Sequence, residues 1–162
     1  MSSNVEAIAR PAARVLLCDN EGRVLLFRAR LAGREFWITP GGGLNQGETY
    51  LEAAMRELWE ETGLRFADAS LQCVWTRSHV FEFRGQLIDQ QERFFLLRIE
   101  QAPGITYDHW EDDERNDLIE HRWWTTDEIL ESTDVFAPRR LGELLQSLLL
   151  GDLPVEPVDV GL

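Results

Sequence analysis

The sequence predicts an α+β domain in which helices pack on a mixed β-sheet. Apolar and β-branched runs separated by turn residues occupy residues 14–39 and again residues 71–100, which is typical of paired strands. One strongly amphipathic helix is predicted between these two groups, and two shorter helices follow the last strand. Because sheets and helices each bury one apolar face against another element, this order predicts helices packed on a sheet. At a length of 162 residues, we expect a single domain over residues 1–150.

The predicted strands form two hairpins and two separate pieces. They cover residues 14–19, 23–30, 35–39, 71–83, 86–100 and 122–125. Gly22 and Gly85 each stand in a turn between two of these runs, so each flanking pair is predicted to be a hairpin. Residues 101–119 are polar and acidic, which favours a loop before the last strand.

Residues 48–64 carry several local signals of a helix. Thr49 is a good N-cap, Glu52 stands at the capping-box position, and Gly63 can end the helix with a positive φ. The apolar residues of this segment share one face at i, i+3, i+4, i+7 spacing: Leu51, Ala54, Met55 and Leu58. The opposite face is polar.

Two helices are predicted at the end of the chain. Thr125 and Glu128 form a capping box for a short helix, and Pro138 opens a longer one that ends at Gly151. The longer helix has one apolar stripe, made of Leu141, Leu144, Leu145, Leu148 and Leu149. Residues 151–162 contain two prolines and no periodicity, so we expect an extended or mobile tail.

The charge balance disfavours one class of partner and favours another. Sixteen basic and 29 acidic residues give a formal net charge of −13. Such an acidic chain lacks the diffuse basic surface that non-specific binding to duplex DNA or RNA requires. A cation is the better match.

The sequence predicts a cytoplasmic protein without a membrane segment. Residues 1–14 contain no apolar signal-peptide core, and no apolar run approaches the roughly 20 residues that span a bilayer. Cys18 and Cys73 each lie in an apolar run, and they could pair only if their Cα atoms came within about 7 Å. We interpret both as reduced thiols of the core.

The polar face of the helix over residues 48–64 concentrates negative charge. Glu57, Glu60 and Glu61 fall within an arc of about 100° on a helix that turns about 100° per residue. A solvated acidic surface would cost only a few tenths of a kcal/mol for each like-charged pair, so charge alone does not exclude it. In a cleft, two carboxylates about 4 Å apart would repel by about 4 kcal/mol, which a divalent cation would relieve. Oxygen ligands without a neighbouring His or Cys favour Mg²⁺, or Mn²⁺ as its substitute, over zinc.

The spacing around this helix resembles the signature of the Nudix hydrolases at every position. Gly42 is followed after five residues by Glu48, and after seven more by the run Arg56-Glu57-Leu58-Trp59-Glu60-Glu61-Thr62-Gly63-Leu64. The resemblance implies the Nudix fold, an α/β/α sandwich in which helices flank a mixed β-sheet. It also implies Mg²⁺-dependent hydrolysis, by water attack on phosphorus, of a nucleoside diphosphate linked to another moiety. A sugar nucleotide such as ADP-ribose and a (d)NTP both fit this description.

The resemblance further implies roles for individual residues. Three carboxylates match the family's metal ligands: Glu57, Glu60 and Glu61. The carbonyl of Gly41 matches an additional ligand, and Arg56 with Glu48 matches a supporting pair in which the arginine orients a carboxylate. The glycines have their own physical reason, because a backbone without Cβ atoms can approach a metal or phosphate closely.

Two sources remain open for the general base that takes the proton from the attacking water. Glu57 is the first choice, and a residue of the acidic loop before the last strand is the second. The family commonly uses that loop, and the nearest candidates here are Glu114, Asp117 and Glu120. A solvated loop without a chemical role is the competing interpretation.

Substrate contacts and the alternative function rest on fewer observations. Arg28, Arg30 and Arg34 precede the motif and could bind phosphate through paired hydrogen bonds, although exposed strand-edge arginines serve solubility equally well. The predicted partner is a small-molecule nucleotide, and a homodimer is compatible with the resemblance. The alternative is a Nudix module that senses nucleotide without turnover, against which the intact run from Arg56 to Glu61 argues.

Overall fold

One sheet and three helices make up the part of the chain that the computed structural model describes, which comprises residues 5–66, 70–100, 105, 118–151 and 153–161. The strands are β1 (Ile8–Cys18), β2 (Arg23–Leu31), β3 (Arg34–Ile38), β4 (Gly41–Gly43), β5 (Gln72–Phe83), β6 (Gln86–Arg98), β7 (Leu118–Thr125), β8 (Phe136–Ala137) and β9 (Val158–Asp159). The helices are α1 (Tyr50–Thr62), α2 (Thr126–Glu131) and α3 (Leu141–Leu149).

The sheet is mixed and forks at β1. Its order is β8-β3-β2-β1-β6-β5-β9, with β4 paired to β1 and β7 paired to β2. β1 runs parallel to β6 along its whole length, whereas β5 is antiparallel to β6. On its other side β1 pairs with β2 at Cys18, while Ala12 and Arg14 face Gly43 and Gly41 of β4. The fork therefore seats the glycine strand beside the middle of β1.

Each face of the sheet has its own apolar core. Val15 of β1 packs in the cluster that contains Ala54 and Leu58 of α1. The next residue, Leu16, packs in the cluster that contains Leu145 of α3. Because successive strand residues point to opposite faces, α1 covers one face and α3 the other. This confirms the predicted α+β class and the α/β/α sandwich.

The local helix signals are confirmed. The hydroxyl of Thr49 accepts from the N–H of Glu52 while the Glu52 carboxylate accepts from the N–H of Thr49, and Gly63 follows α1 at φ 77°. Thr125 and Glu128 form the same reciprocal capping box at the start of α2. The leucine stripe of α3 also faces the core, with Leu141, Leu145 and Leu148 buried.

Several boundaries differ from the sequence prediction. β1 begins at Ile8 rather than at residue 14, because residues 8–13 are also paired with β6. β7 begins at Leu118, inside the segment predicted to be a loop, because it pairs with β2. α3 begins at Leu141 rather than at Pro138. Within the tail, Val158 and Asp159 form β9 and pair with β5, a contact too short for periodicity to indicate.

Two further predictions, on membrane segments and on the cysteines, can be compared with the described residues. Within them, no helix has both the length and the hydropathy needed to cross a membrane. Both cysteines are free thiols, Cys18 being buried and Cys73 half-buried. Burial raises the pKa of the Cys18 thiol to about 12.

Candidate active site

The predicted carboxylates of α1 face the glycine strand β4. The N–H of Gly41 donates to Oε1 of Glu61 at 2.7 Å. A Cβ atom built on Gly42 would lie 2.5 Å from Oε1 of Glu57, so the absence of a side chain at Gly42 makes room for that carboxylate. Both contacts join β4, which β1 supports, to the end of α1. The candidate site is therefore assembled where helix, glycine strand and sheet meet.

Arg56 holds the carboxylates around it. Its Nε and Nη2 donate to the two oxygens of Glu48 at 2.8 and 2.9 Å, and Nη2 also donates to the carbonyl of Gly43 at 2.9 Å. Its Nη1 lies 2.9 Å from Oε1 of Glu57 and 3.2 Å from Oε2 of Glu60. The hydrogen bonds with Glu48 raise the pKa of Arg56 and lower that of Glu48. Arg56 and Glu48 are thus in contact, and their supporting role in a reaction stays a prediction.

Glu57 presents one unsatisfied oxygen inside the protein. The residue is 5% exposed, and its Oε1 accepts the bond from Arg56. Its Oε2 is buried and has no hydrogen-bond partner among the described residues. A buried carboxylate oxygen without a donor is costly, and a cation or a proton at that position would remove the cost.

Glu61 is more deeply buried than Glu57. It is 2% exposed and accepts the N–H of Gly41. A solvated acidic surface requires exposed carboxylates, so that interpretation is wrong for Glu57 and Glu61. The arc instead faces β4, at the junction where the helix packs against the sheet.

The donor set suits a hard divalent cation. Carboxylate oxygens and glycine carbonyls are the ligands that Mg²⁺ and Mn²⁺ prefer, and the unpartnered Oε2 of Glu57 is one such oxygen. Within the described ranges, no three carboxylate, thiol or imidazole groups are arranged as a complete ion site. In this arrangement the guanidinium of Arg56 lies between Glu57 and Glu60 and neutralises part of their charge. The ligand roles of Glu57, Glu60, Glu61 and Gly41 remain predictions.

Comparison with known protein families decides which family this site belongs to. The model of the NUDIX domain matches residues 9–145, from the start of β1 into α3. The chain belongs to the Nudix family. The Nudix signature of this chain is therefore the segment from Gly42 to Leu64, with α1 as its helix.

Relatives of this chain carry the name RNA pyrophosphohydrolase. The protein from Psychrobacter cryohalolentis is 30% identical over 147 residues, which cover 84% of this chain and 84% of the relative. The protein from Tolumonas auensis is 33% identical over 102 residues, which cover 57% of this chain and 58% of the relative. The chain thus spans little more than half the length of the Tolumonas protein that it matches.

Solved structures support the Nudix fold. The MutT protein of Methanosarcina mazei Go1 superposes with a TM-score of 0.63 at 21% identity and covers 90% of this chain and 99% of its own. An Ap4A hydrolase of C. elegans, solved as a binary complex, gives a TM-score of 0.57 at 18% identity, with 87% and 96% covered. At these identities the likeness establishes the fold alone.

The predicted substrate-binding arginines lie on β2 and β3, outside the Nudix signature. Arg28 lies 3.4 Å from Glu120 and 3.8 Å from Glu35, and Arg30 lies 2.5 Å from Glu35. Arg34 is exposed at the first position of β3. No ion pair within the described part of the chain joins these three arginines to the carboxylates of α1. Their role as phosphate ligands stays a prediction.

Glu120 was predicted to lie in or beside the acidic loop, and it lies within β7. It faces Arg28 across the β2–β7 ladder, and its carboxylate is 3.4 Å from that guanidinium. Its ion pair is therefore with a strand neighbour, and its role as a source of the general base stays a prediction. Glu114 and Asp117 lie outside the described residues.

Sequence reasoning missed a group of buried charged residues on β1, β5 and β6. Glu92 of β6 is 4% exposed and lies between Arg14 of β1 and Arg77 of β5, at 2.8 and 2.5 Å. Gln90 donates to Glu92 at 3.1 Å and accepts from Arg10 at 2.5 Å. The available signal was alternation, because these polar residues occupy strand positions that share a face with apolar ones.

Proposed function

We propose that this chain is a divalent-metal-dependent pyrophosphohydrolase. It cleaves the diphosphate linkage of a nucleoside diphosphate joined to another moiety, by attack of water on one phosphorus. The observation that carries the proposal is the carboxylate group of α1, in which Glu57 and Glu61 are buried against a glycine strand and Oε2 of Glu57 has no partner. Burying an unpaired carboxylate oxygen costs free energy, and a bound cation would remove that cost.

The residues present fit a divalent cation held by Glu57, Glu60 and Glu61, with the carbonyl of Gly41 as a further ligand. When bound, the cation supplies neutralisation of the diphosphate charge and lowers the pKa of a nearby water. The chain's own contribution is to keep the carboxylates in place before substrate arrives. Gly41 holds Glu61 by its N–H, and Arg56 holds Glu57 by one oxygen.

Glu57 is the general base that we favour. Its Oε1 accepts from Arg56, so Oε2 is the oxygen that either binds the cation or, where Glu60 and Glu61 hold the cation, accepts the proton of the attacking water. Arg56 would fix the direction of Oε2 through Oε1, since a guanidinium orients a carboxylate by charged hydrogen bonds. One of Glu114, Asp117 and Glu120 is the second source of a base.

Two substrate classes follow from different observations. The strongly acidic composition favours a small nucleotide, such as a sugar nucleotide or a (d)NTP, over a long polyanion. The relative from Psychrobacter cryohalolentis, named RNA pyrophosphohydrolase, favours the 5′ end of an RNA, where a diphosphate linkage is also exposed. Both classes present the same bond to the same carboxylates.

The test is a hydrolysis screen with purified protein and a matched pair of variants. Sugar nucleotides, nucleoside triphosphates, dinucleoside polyphosphates and a 5′-triphosphorylated RNA are incubated with Mg²⁺, with Mn²⁺ and with chelator. Glu61→Gln removes one charge at the site, and Glu143→Gln removes one from the exposed face of α3. We expect metal-dependent cleavage that Glu61→Gln lowers by orders of magnitude and Glu143→Gln leaves unchanged.

The same screen separates the proposal from the sensor alternative. Unchanged cleavage by Glu61→Gln would remove the metal-ligand assignment. No cleavage of any substrate, together with nucleotide binding detected by thermal shift, would establish a sensing module in place of the enzyme.

A further inference from the structure

A buried ion group lies in the sheet where β1 pairs with the glycine strand β4. Glu92 accepts from Arg14 Nε through Oε2 at 2.8 Å and from Arg77 Nη1 through Oε1 at 2.5 Å. The three residues belong to adjacent strands β1, β6 and β5, and each side chain is at most 12% exposed. The guanidiniums of Arg14 and Arg77 lower the pKa of Glu92 to about 2 against the opposing effect of burial.

Stability alone does not account for this group. Burying a carboxylate and two guanidiniums removes their hydration, and the Coulomb attraction often does no more than offset that loss. The same face of the sheet continues as an apolar core through Leu16 and Phe94, where apolar side chains meet no such cost. A role in placing neighbouring groups is therefore the better explanation.

Arg14 connects Glu92 to the glycine strand. Its Nη1 donates to the carbonyl of Thr39 at 3.2 Å, and the next residue, Val15, donates its N–H to the carbonyl of Pro40 at 2.8 Å. Gly41 faces Arg14 in the β1–β4 ladder, and a Cβ on Gly41 would lie 2.1 Å from the carbonyl oxygen of Ala13 and 2.8 Å from Cδ of Arg14. The backbone of β1 and the stem of Arg14 thus occupy the space that a side chain at position 41 would need.

The N–H of Gly41 connects this backbone segment to the carboxylates of α1. Gly41, at φ 151°, directs its N–H to Oε1 of Glu61 at 2.7 Å. Burial lowers the pKa of Arg14, but the charges of Glu92, Glu61 and Glu57 raise it overall. Arg14 therefore interacts with the candidate site both through the backbone before Gly41 and through its charge.

We propose that Glu92 is a positioning residue for the Nudix carboxylates. By fixing the guanidinium of Arg14, it fixes the backbone from Thr39 to Gly41 and, through the Gly41 N–H, the orientation of Glu61. This proposal rests on the proposed function, because it assigns Glu92 to the same metal-dependent reaction. Glu92 contacts no reacting atom and acts only through Arg14.

The test compares two buried carboxylates, each of which forms an ion pair with an arginine: Glu92 with Arg14, and Asp19 with Arg23. Glu92→Gln keeps the shape of the side chain and removes its charge. Asp19→Asn is the matched control, because Asp19 is buried, pairs with Arg23 at 2.8 Å and directly follows the last residue of β1. The first readout is amide hydrogen exchange at Gly41, measured by NMR without metal or substrate, relative to amides of the β2–β7 ladder.

We expect Gly41 to exchange about tenfold faster in Glu92→Gln, the change that loss of one charged hydrogen bond produces. In Asp19→Asn we expect the ratio of Gly41 to the β2–β7 amides to stay at the wild-type value. An unchanged ratio in Glu92→Gln, with a lower melting temperature only, would overturn the proposal. If Glu92→Gln does not fold, Arg14→Lys is the second variant, since a lysine cannot contact Glu92 and Thr39 in the same way.

A second readout separates this proposal from the proposed function. Titration of the metal-free protein with Mn²⁺ by calorimetry should show affinity about tenfold weaker in Glu92→Gln and unchanged in Asp19→Asn. Wild-type protein that binds no Mn²⁺ and cleaves no substrate would refute the proposed function. The Gly41 exchange ratio would still decide whether Glu92 positions the glycine strand.

Discussion

Replacing Gly42 by alanine tests whether the position of Glu57 controls activity. The new Cβ would lie 2.5 Å from Oε1 of Glu57 and 3.0 Å from Oε2. Ordinary contact begins near 3.4 Å, so the carboxylate would have to move by about 0.9 Å. Gly42 is absent from the residues with positive φ, so alanine introduces no backbone strain of that kind. The substitution therefore acts on the carboxylate rather than on the fold.

The magnitude follows from the sensitivity of catalysis to geometry. A misplacement of about 1 Å in a catalytic constellation costs on the order of 100-fold in rate. We expect Gly42→Ala to lower kcat/KM by about that factor, equivalent to about 3 kcal/mol of transition-state stabilisation. The free energy of unfolding should change by less than about 1 kcal/mol.

The assay pairs steady-state hydrolysis in Mg²⁺ with urea unfolding of the same preparation. Gly85→Ala is the control, because Gly85 lies in the β5–β6 turn at φ 79° with open space around it. Alanine there should destabilise the fold by about 1 kcal/mol through backbone strain and leave kcat/KM unchanged. The two variants are thus expected to show opposite patterns.

Wild-type kcat/KM in Gly42→Ala would refute the reasoning, because a displaced Glu57 could not then be essential. Equal losses of stability and activity would also refute it, since they would indicate a folding defect rather than a local displacement.

Three further predictions follow from the described contacts. The pKa of Glu92 is lowered from 4.5 to about 2 in the folded protein, so the stabilising effect of its charge is complete above pH 4.5 and is lost as pH falls toward 2. Urea unfolding across this range should show that the free energy of unfolding falls more steeply with pH in wild type than in Glu92→Gln. Burial raises the pKa of Cys18 to about 12, so a thiol reagent at pH 8 should label Cys18 only after unfolding, and rapid native labelling would contradict the structure. Thr49→Ala removes the N-cap of α1 and should lower the free energy of unfolding by about 1 kcal/mol, whereas Thr49→Ser should recover most of it.

The helix at the centre of the site could be predicted almost completely from the sequence. Its cap at Thr49, its stop at Gly63 and the shared face of Glu57 and Glu61 depend on residues within one or two turns of each other. Such local signals need no knowledge of the rest of the chain. The pairing of Arg56 with Glu48 is also short-range, because it connects the helix to the turn before it.

The environment of these side chains could not be predicted in the same way. Whether Glu57 and Glu61 face water or the glycine strand depends on how β4 is seated on β1, which only the folded sheet decides. Glu120 illustrates the same limit, since its pairing with Arg28 depends on β7 lying beside β2. A sequence pattern identifies which residues share a face and leaves open what covers that face.

The sequence by itself determined the family motif, the helix that carries the carboxylates and the order of the main elements, because each depends on local spacing. Only the tertiary structure decided that Glu92 and Arg77, which face each other in the β5–β6 hairpin, also meet Arg14 of the distant strand β1. Their contacts depend on strand register, which is a property of the whole sheet. The carboxylates of α1 could be identified from the sequence, whereas the group that holds their backbone support required the fold.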